Sequence, residues 1–304
     1  MELLLRRSFD ASDLPPAVIR HPHKQLAYEL AMSGPAPVGT IEVTRWRSDE
    51  LPNRNERSFR SEFEVMPGHY TYSDDSAIWH VNFADPVLFV AYGSRLLAQD
   101  ELQCLEHPAL GSIREALGDH AFTERDGVAT PVLVANVERR CALATARDLA
   151  AGRPYGLYGN RFAAAEPEQI RAALSLVRPP TYTNLIAIAA PTGAGEYMRA
   201  QLESIVSTAY TGFSAAVREG AVEIRTGFWG CGAFGGNRLV MTSLQLYAAQ
   251  LAGVARLRFY AFDDAGRADA LAGARVLDEA LATGGDVIEA IADRDFRWGV
   301  SDGT

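Results

Sequence analysis

The chain has 304 residues, 48% of them hydrophobic and 22% charged, with a formal net charge of −9. That is enough apolar material for a substantial core in one large or two ordinary domains, and the acidic balance argues against a general nucleic-acid-binding surface. Three widely spaced cysteines, Cys104, Cys141 and Cys231, match neither a disulfide framework nor a zinc pattern, and no run of about 18 apolar residues marks a membrane span, so a reduced, cytoplasmic protein is expected.

Residues 1–75 read as an irregular, polar accessory segment, broken by Pro15-Pro16, Pro35 and Pro37, with one alternating strand at 39–46. His21 and His23 have no carboxylate or thiol nearby in sequence and read as loop residues, not as metal ligands. A buried-type strand at 77–84 runs into the turn signal Asp85-Pro86, and a helix over 96–106 places Gln99, Asp100 and Glu101 near its first turn, where carboxylates are stabilised. A helix at 110–117, a strand at 130–136 and a short helix at 141–151 follow. Tyr155 and Tyr158 then lie between glycines in a loop, where aromatic rings can either stack on a nucleotide base or cap the core.

From residue 166 helices and strands alternate: helix 166–177, strand 183–190, helix 196–217, strand 221–225, helix 239–251, strand 257–262, then helices 268–282 and 284–292. Near-continuously apolar strands in such alternation predict a mixed or largely parallel sheet covered on both faces, with the ligand crevice at the strand C-termini. The loop between the strand at 221–225 and the next helix holds Gly227, Gly230, Gly232, Gly235 and Gly236 within Thr226–Asn237. Glycines admit positive φ and close approach to a ligand, and the following helix turns the positive end of its dipole toward the loop, so a diphosphate fits here. Gly230-x-Gly232-x-x-Gly235 also matches a dinucleotide fingerprint with Asp263 and Asp264 after the next strand, but no unit with a nicotinamide-side partner accompanies it. Phe228, Trp229 and Phe234 within the loop exceed what a plain turn requires.

These pieces together resemble the poly(ADP-ribose) glycohydrolase family of macrodomains. That family pairs a catalytic loop, running from a strand ending Phe-Ala-Asn through three glycines to Gln-Glu-Glu, with a late loop Thr-Gly-Asn-Trp-Gly-Cys-Gly-Ala-Phe-Gly-Gly. Here the late loop, Thr226–Gly236, differs only at Phe228, and Gln99-Asp100-Glu101 stands at the family's distance from Phe83-Ala84. The family asparagine is Asp85 and its three glycines fall on Phe89, Val90 and Ala91.

The resemblance implies a macrodomain-like three-layer α/β/α fold with a central mixed sheet over 76–304. It implies Glu101 as catalytic acid, with Asp100 beside it on the ribose hydroxyls and Gln99, Thr226, Gly230, Gly232, Ala233, Phe234 and Gly235 around the substrate. Phe262 falls beside the distal ribose, with Tyr155 or Tyr158 as the adenine-stacking ring. The ligand is then ADP-ribose or an ADP-ribosylated protein, handled by carboxylates with no cofactor and no metal. Asp85, added to Asp100 and Glu101, makes an acidic mouth suited to a guanidinium, which favours release of single ADP-ribose units from arginine over polymer cleavage. The lost glycines also fit a non-catalytic ADP-ribose reader, against which Glu101 stands.

Overall fold

A computed structural model describes residues 1–48, 50–52 and 60–303; the polar stretch at 49 and 53–59 lies outside the described residues. The elements in chain order are β1 (Glu2–Asp10), α1 (Pro22–Ala31), β2 (Thr40–Arg47), β3 (Glu62–Met66), β4 (Ile78–Ala84), α2 (Gln99–Glu106), α3 (Ala109–Leu117), β5 (Glu124–Arg125), β6 (Val128–Ala129), β7 (Val132–Leu143), α4 (Pro167–Ala173), β8 (Leu174–Ala189), α5 (Arg199–Arg218), β9 (Glu223–Gly227), α6 (Arg238–Ala252), β10 (Arg256–Tyr260), α7 (Asp264–Ala282) and α8 (Val287–Ala292). Eight strands form one sheet in the order β1-β2-β7-β8-β4-β9-β10-β3, and β5 pairs only with β6.

The sheet is mixed. Pairings from β1 to β8 are antiparallel, whereas β8, β4, β9, β10 and β3 run parallel. The period-2 alternation of β8 sends Ile186 and Ile188 into one apolar cluster, with α5, α6, α7 and α8, and Leu185 and Ala187 into another, with α1, α2 and α3. Both faces are therefore covered, and the expected three-layer α/β/α architecture is present.

Several local expectations fail for tertiary reasons. The predicted helix at 141–151 does not form. Cys141, Ala142 and Leu143 extend β7 by pairing with Leu176, Ser175 and Leu174, so strand pairing overrides the helix propensity of an alanine-rich stretch. The same pairing ends α4 at Ala173, where 166–177 was expected to be helical. The segment through residue 75 is hydrogen-bonded into the central sheet at both edges: β1 and β2 beyond β7, and β3 beyond β10. His21 and Pro22 open α1.

Candidate active site

All five parallel strands end on one side of the sheet, and the residues that follow them converge there: His69 after β3, Asp85 after β4, Ala190 after β8, Phe228 to Phe234 after β9 and Phe262 after β10. With the start of α2 and Arg238, Tyr158 and Asp302, they enclose a cavity of about 560 Å³. His69, Phe83, Gln99, Tyr158 and Phe262 also border a second cavity of about 420 Å³, walled by Tyr70, Tyr72, Arg139 and Tyr260 and by residues 142–146. The site thus has an acidic chamber and an aromatic chamber separated by shared side chains.

The acidic chamber is built on the first turn of α2. Gln99 ties that turn to β4, accepting from the Phe83 N–H at 2.8 Å and donating to the Val81 carbonyl at 3.1 Å. Its amide is used by the scaffold, so Gln99 positions the helix. Asp100 is buried and accepts from Asn82 Nδ2 at 2.9 Å. Glu101, also buried, reaches back to the Ala98 N–H at 2.9 Å, as a carboxylate at the third helical position can. Burial raises both acids above the ordinary carboxylate range, Asp100 to about 7, and the charge of Glu101 adds to the effect on Asp100. The nearby Lys24 ammonium opposes the shift in both.

Lys24 lay outside the site foreseen from sequence. It is fully buried on α1 and donates to the Tyr92 carbonyl at 3.0 Å, while Tyr28 one turn later donates to the Cys104 carbonyl of α2 at 3.0 Å. Burial lowers its pKa to about 8, against the pull of Glu101, Cys104 and Asp100.

Asp85 lines the chamber as expected, with one carboxylate oxygen turned onto the Val87 N–H at 2.9 Å. Where the resemblance places three glycines, Val90 and Ala91 show side chains to the cavity and Phe89 is fully buried at φ 52°. A left-handed backbone is kept there without glycine, a strained choice that the buried ring holds in place.

Opposite α2 stands the late glycine loop. Gly230 and Gly235 take φ of 72° and 66°, and the Gly236 N–H closes the loop onto the Gly230 carbonyl at 2.9 Å. Among the described residues, the N–H groups of Gly232, Ala233 and Phe234 donate to no protein acceptor. Three consecutive donors without a partner among the described residues, close before the start of α6, are the kind of arrangement that suits an anion. Gly230, Gly232, Ala233 and Phe234 all line the chamber.

Thr226 and Gly235 do not. Thr226 is fully buried and donates to Gln245 Oε1 at 2.6 Å, so it is part of the β9–α6 scaffold. Gly235 is turned toward residue 299, where an added Cβ would sit 2.8 Å from the Gly299 oxygen. Its role is backbone shape.

Of the two candidate tyrosines, Tyr158 borders both chambers, whereas Tyr155 is 74% exposed and borders neither. Phe262 borders both, at φ 63°, with His69 edge-on at 5.0 Å between ring centroids. Tyr70, Tyr72, Tyr260 and Arg139 were not foreseen. Arg139 lies 4.3 Å from the Tyr72 ring centroid and is held by Glu106 at 2.8 Å. No motif marks Tyr70, Tyr72 or Arg139, because strand β7 and the loop after β3 bring them together only in the folded sheet.

Comparison with known proteins bears on the whole arrangement. Residues 157–269, less than half of the chain, match the family model described as poly(ADP-ribose) glycohydrolase (PARG), Macro domain fold. No curated protein sequence matches. Among solved structures, the poly(ADP-ribose) glycohydrolase of Thermomonospora curvata bound to the inhibitor ADP-HPD aligns with a TM-score of 0.50 at 17% identity, covering 89% of this chain and 84% of that one. The Deinococcus radiodurans poly(ADP-ribose) glycohydrolase in complex with ADP-ribose aligns with a TM-score of 0.46 at 16% identity, over 91% and 95% of the two chains. The resemblance read from the glycine loop agrees with this match: residues 157–269 are PARG-like, and the fold is that of a macrodomain.

Proposed function

We propose that this chain is a glycosidase-type hydrolase that releases ADP-ribose from mono-ADP-ribosylated protein, with arginine as the linkage residue. The observation that carries the reading is the meeting, in one cavity, of the buried carboxylates of Asp100 and Glu101 with the three unpaired N–H groups of Gly232 to Phe234. The donors suit a diphosphate. The carboxylates suit the ribose bound to it.

On this reading the aromatic chamber takes the adenosine end, with Tyr158 and Phe262 at the boundary, and C1″ of the distal ribose faces Glu101. The bond from C1″ to the arginine nitrogen breaks with its electron pair going to nitrogen, which returns the guanidine, and a water oxygen bonds to C1″ and gives up a proton. Carboxylates stabilise the oxocarbenium-like centre, orient the guanidinium and accept the water proton. Asp85 extends the acidic wall toward the departing group.

The matched family's own name favours the runner-up, cleavage of ribose–ribose bonds in poly(ADP-ribose). Incubating the protein with ADP-ribosylated arginine, ADP-ribosylated serine and polymer side by side distinguishes them. Release of ADP-ribose from the arginine substrate is expected. Release from polymer alone would transfer the assignment to the runner-up, and tight ADP-ribose binding with no release from any of the three would make the chain a reader.

A further inference from the structure

The acidic chamber is short of positive charge. Asp85, Asp100, Glu101 and Asp302 line it, and among the described residues Arg238 is the one lysine or arginine that does. His69 also lines the chamber, but burial lowers its pKa, which favours the neutral ring. A diphosphate entering this chamber meets an acidic wall and three backbone N–H groups, and dipoles alone offset like-charge repulsion poorly at close range.

Arg238 is the first residue of α6, directly after the glycine loop. Its guanidinium carbon lies 4.7 Å from the ring centroid of Phe228, which also lines the chamber, and Nη1 is 3.0 Å from Asp269 Oδ2 on α7. The stacked ring and the single carboxylate hold the planar fork at the cavity wall. The ion pair itself is half exposed, with side-chain accessibilities of 46% and 37%. Such a pair stabilises the fold little, so stability alone is a weak reason for an arginine at this position.

Resting on the proposed ADP-ribose reading, we infer that Arg238 is a substrate-binding residue that supplies the counter-charge for the diphosphate bound at Gly232–Phe234. Arginine suits the task because its fork can meet phosphate oxygens in pairs while staying stacked on an aromatic face. The geometry also gives the chamber two poles: the start of α6, with its cation and free N–H groups, receives the diphosphate, and the start of α2, with its carboxylates, receives the ribose and a cationic acceptor.

The test is calorimetric binding of ADP-ribose and of adenosine to wild type, Arg238→Gln, Arg238→Lys and Asp269→Asn, with thermal melting of each and KM and kcat on the released substrate. Arg238→Gln is expected to weaken ADP-ribose by about ten- to a hundredfold, the range for losing a charge-assisted contact, to leave adenosine binding unchanged, and to raise KM more than it lowers kcat. Arg238→Lys should lose less. Asp269→Asn breaks the ion pair but keeps the cation, so it should bind ADP-ribose at least as tightly as wild type. Equal ADP-ribose affinity in Arg238→Gln and wild type overturns the assignment, and so does an equal loss in Asp269→Asn, because Arg238 would then act only through its ion pair. Should Arg238→Gln fail to fold, the Arg238→Lys and Asp269→Asn comparison decides alone. Wild-type protein that binds no ADP-ribose fails the reading of the site as a whole, an outcome distinct from failure of Arg238.

Discussion

Glu101 and Asp100 are adjacent in sequence, yet their surroundings differ. Asp100 turns to Asn82 within the scaffold, and Glu101 folds back on Ala98 at the cavity wall. Glu101→Gln is expected to lower turnover by at least about a hundredfold, the usual scale for removing a positioned acid or base, with ADP-ribose affinity retained. Near-wild-type turnover would remove Glu101 from the chemistry. Asp85→Asn should weaken turnover of the arginine substrate roughly ten- to a hundredfold and be tolerated on an ether-linked one.

The pH dependence follows from the direction of the shifts. If Glu101 orients a guanidinium as a carboxylate, turnover rises with pH through its elevated pKa; a proton-donating acid on a ribose–ribose bond would give the opposite slope. The rising limb is expected. Lys24→Met removes the cation that opposes the effects of burial and of Asp85 on Glu101, so the limb should move to higher pH. A profile that stays in place, in a variant that is folded but less stable, would make Lys24 structural only.

Asp100 makes a separate statement about stability. Its folded pKa, about 7, lies above the unfolded carboxylate value, so the folded state holds a proton that the unfolded chain has lost. Stability should therefore fall as pH rises from about 4 to about 7, and Asp100→Asn should flatten that part of the melting curve.

Two elements carry the site, the first turn of α2 and the loop before α6, and each is shaped by neighbours distant in sequence. The loop before α6 rests on residues 296–299: the Gly299 N–H donates to the Gly235 carbonyl at 2.6 Å, and Trp298 stacks on Tyr197 at 4.3 Å, whose hydroxyl accepts the Asn237 N–H at 2.8 Å. The two glycine-to-valine changes should therefore separate. Gly235→Val puts a branched side chain at φ 66° against the Gly299 backbone and should lower the melting temperature together with binding. Gly232→Val, on the cavity wall, should fold and lose ADP-ribose binding. Melting and calorimetry on both variants check this, and a stable Gly235→Val with normal affinity would contradict the loop account.

At the scale of the molecule, the segment before residue 76 contributes three of the eight sheet strands and the helix that carries Lys24 and Tyr28. A chain begun at residue 76 should express poorly and lack a cooperative melt, because β7 and β10 would each become unpaired edges. Cooperative melting with unchanged ADP-ribose affinity would show that the shorter unit suffices.

The sequence by itself determined the alternation of helices and strands from residue 183 onward, the placement of Gln99-Asp100-Glu101 at a helix start, and the position of the glycine loop between a strand and a helix. Each of these is a local pattern, written in periodicity, turn chemistry or a contiguous motif. Only the tertiary structure decided what depends on pairing between distant segments. It carried β7 through Leu143 where local propensity favoured a helix, set the N-terminal strands at both edges of the sheet, and withdrew Thr226, Gly235 and Tyr155 from the cavity lining. It also brought Tyr70, Arg139 and Arg238 into the lining and set the buried Lys24 near Asp100 and Glu101. A side chain enters a cavity according to register and strand order, and neither is encoded within a window of neighbouring residues.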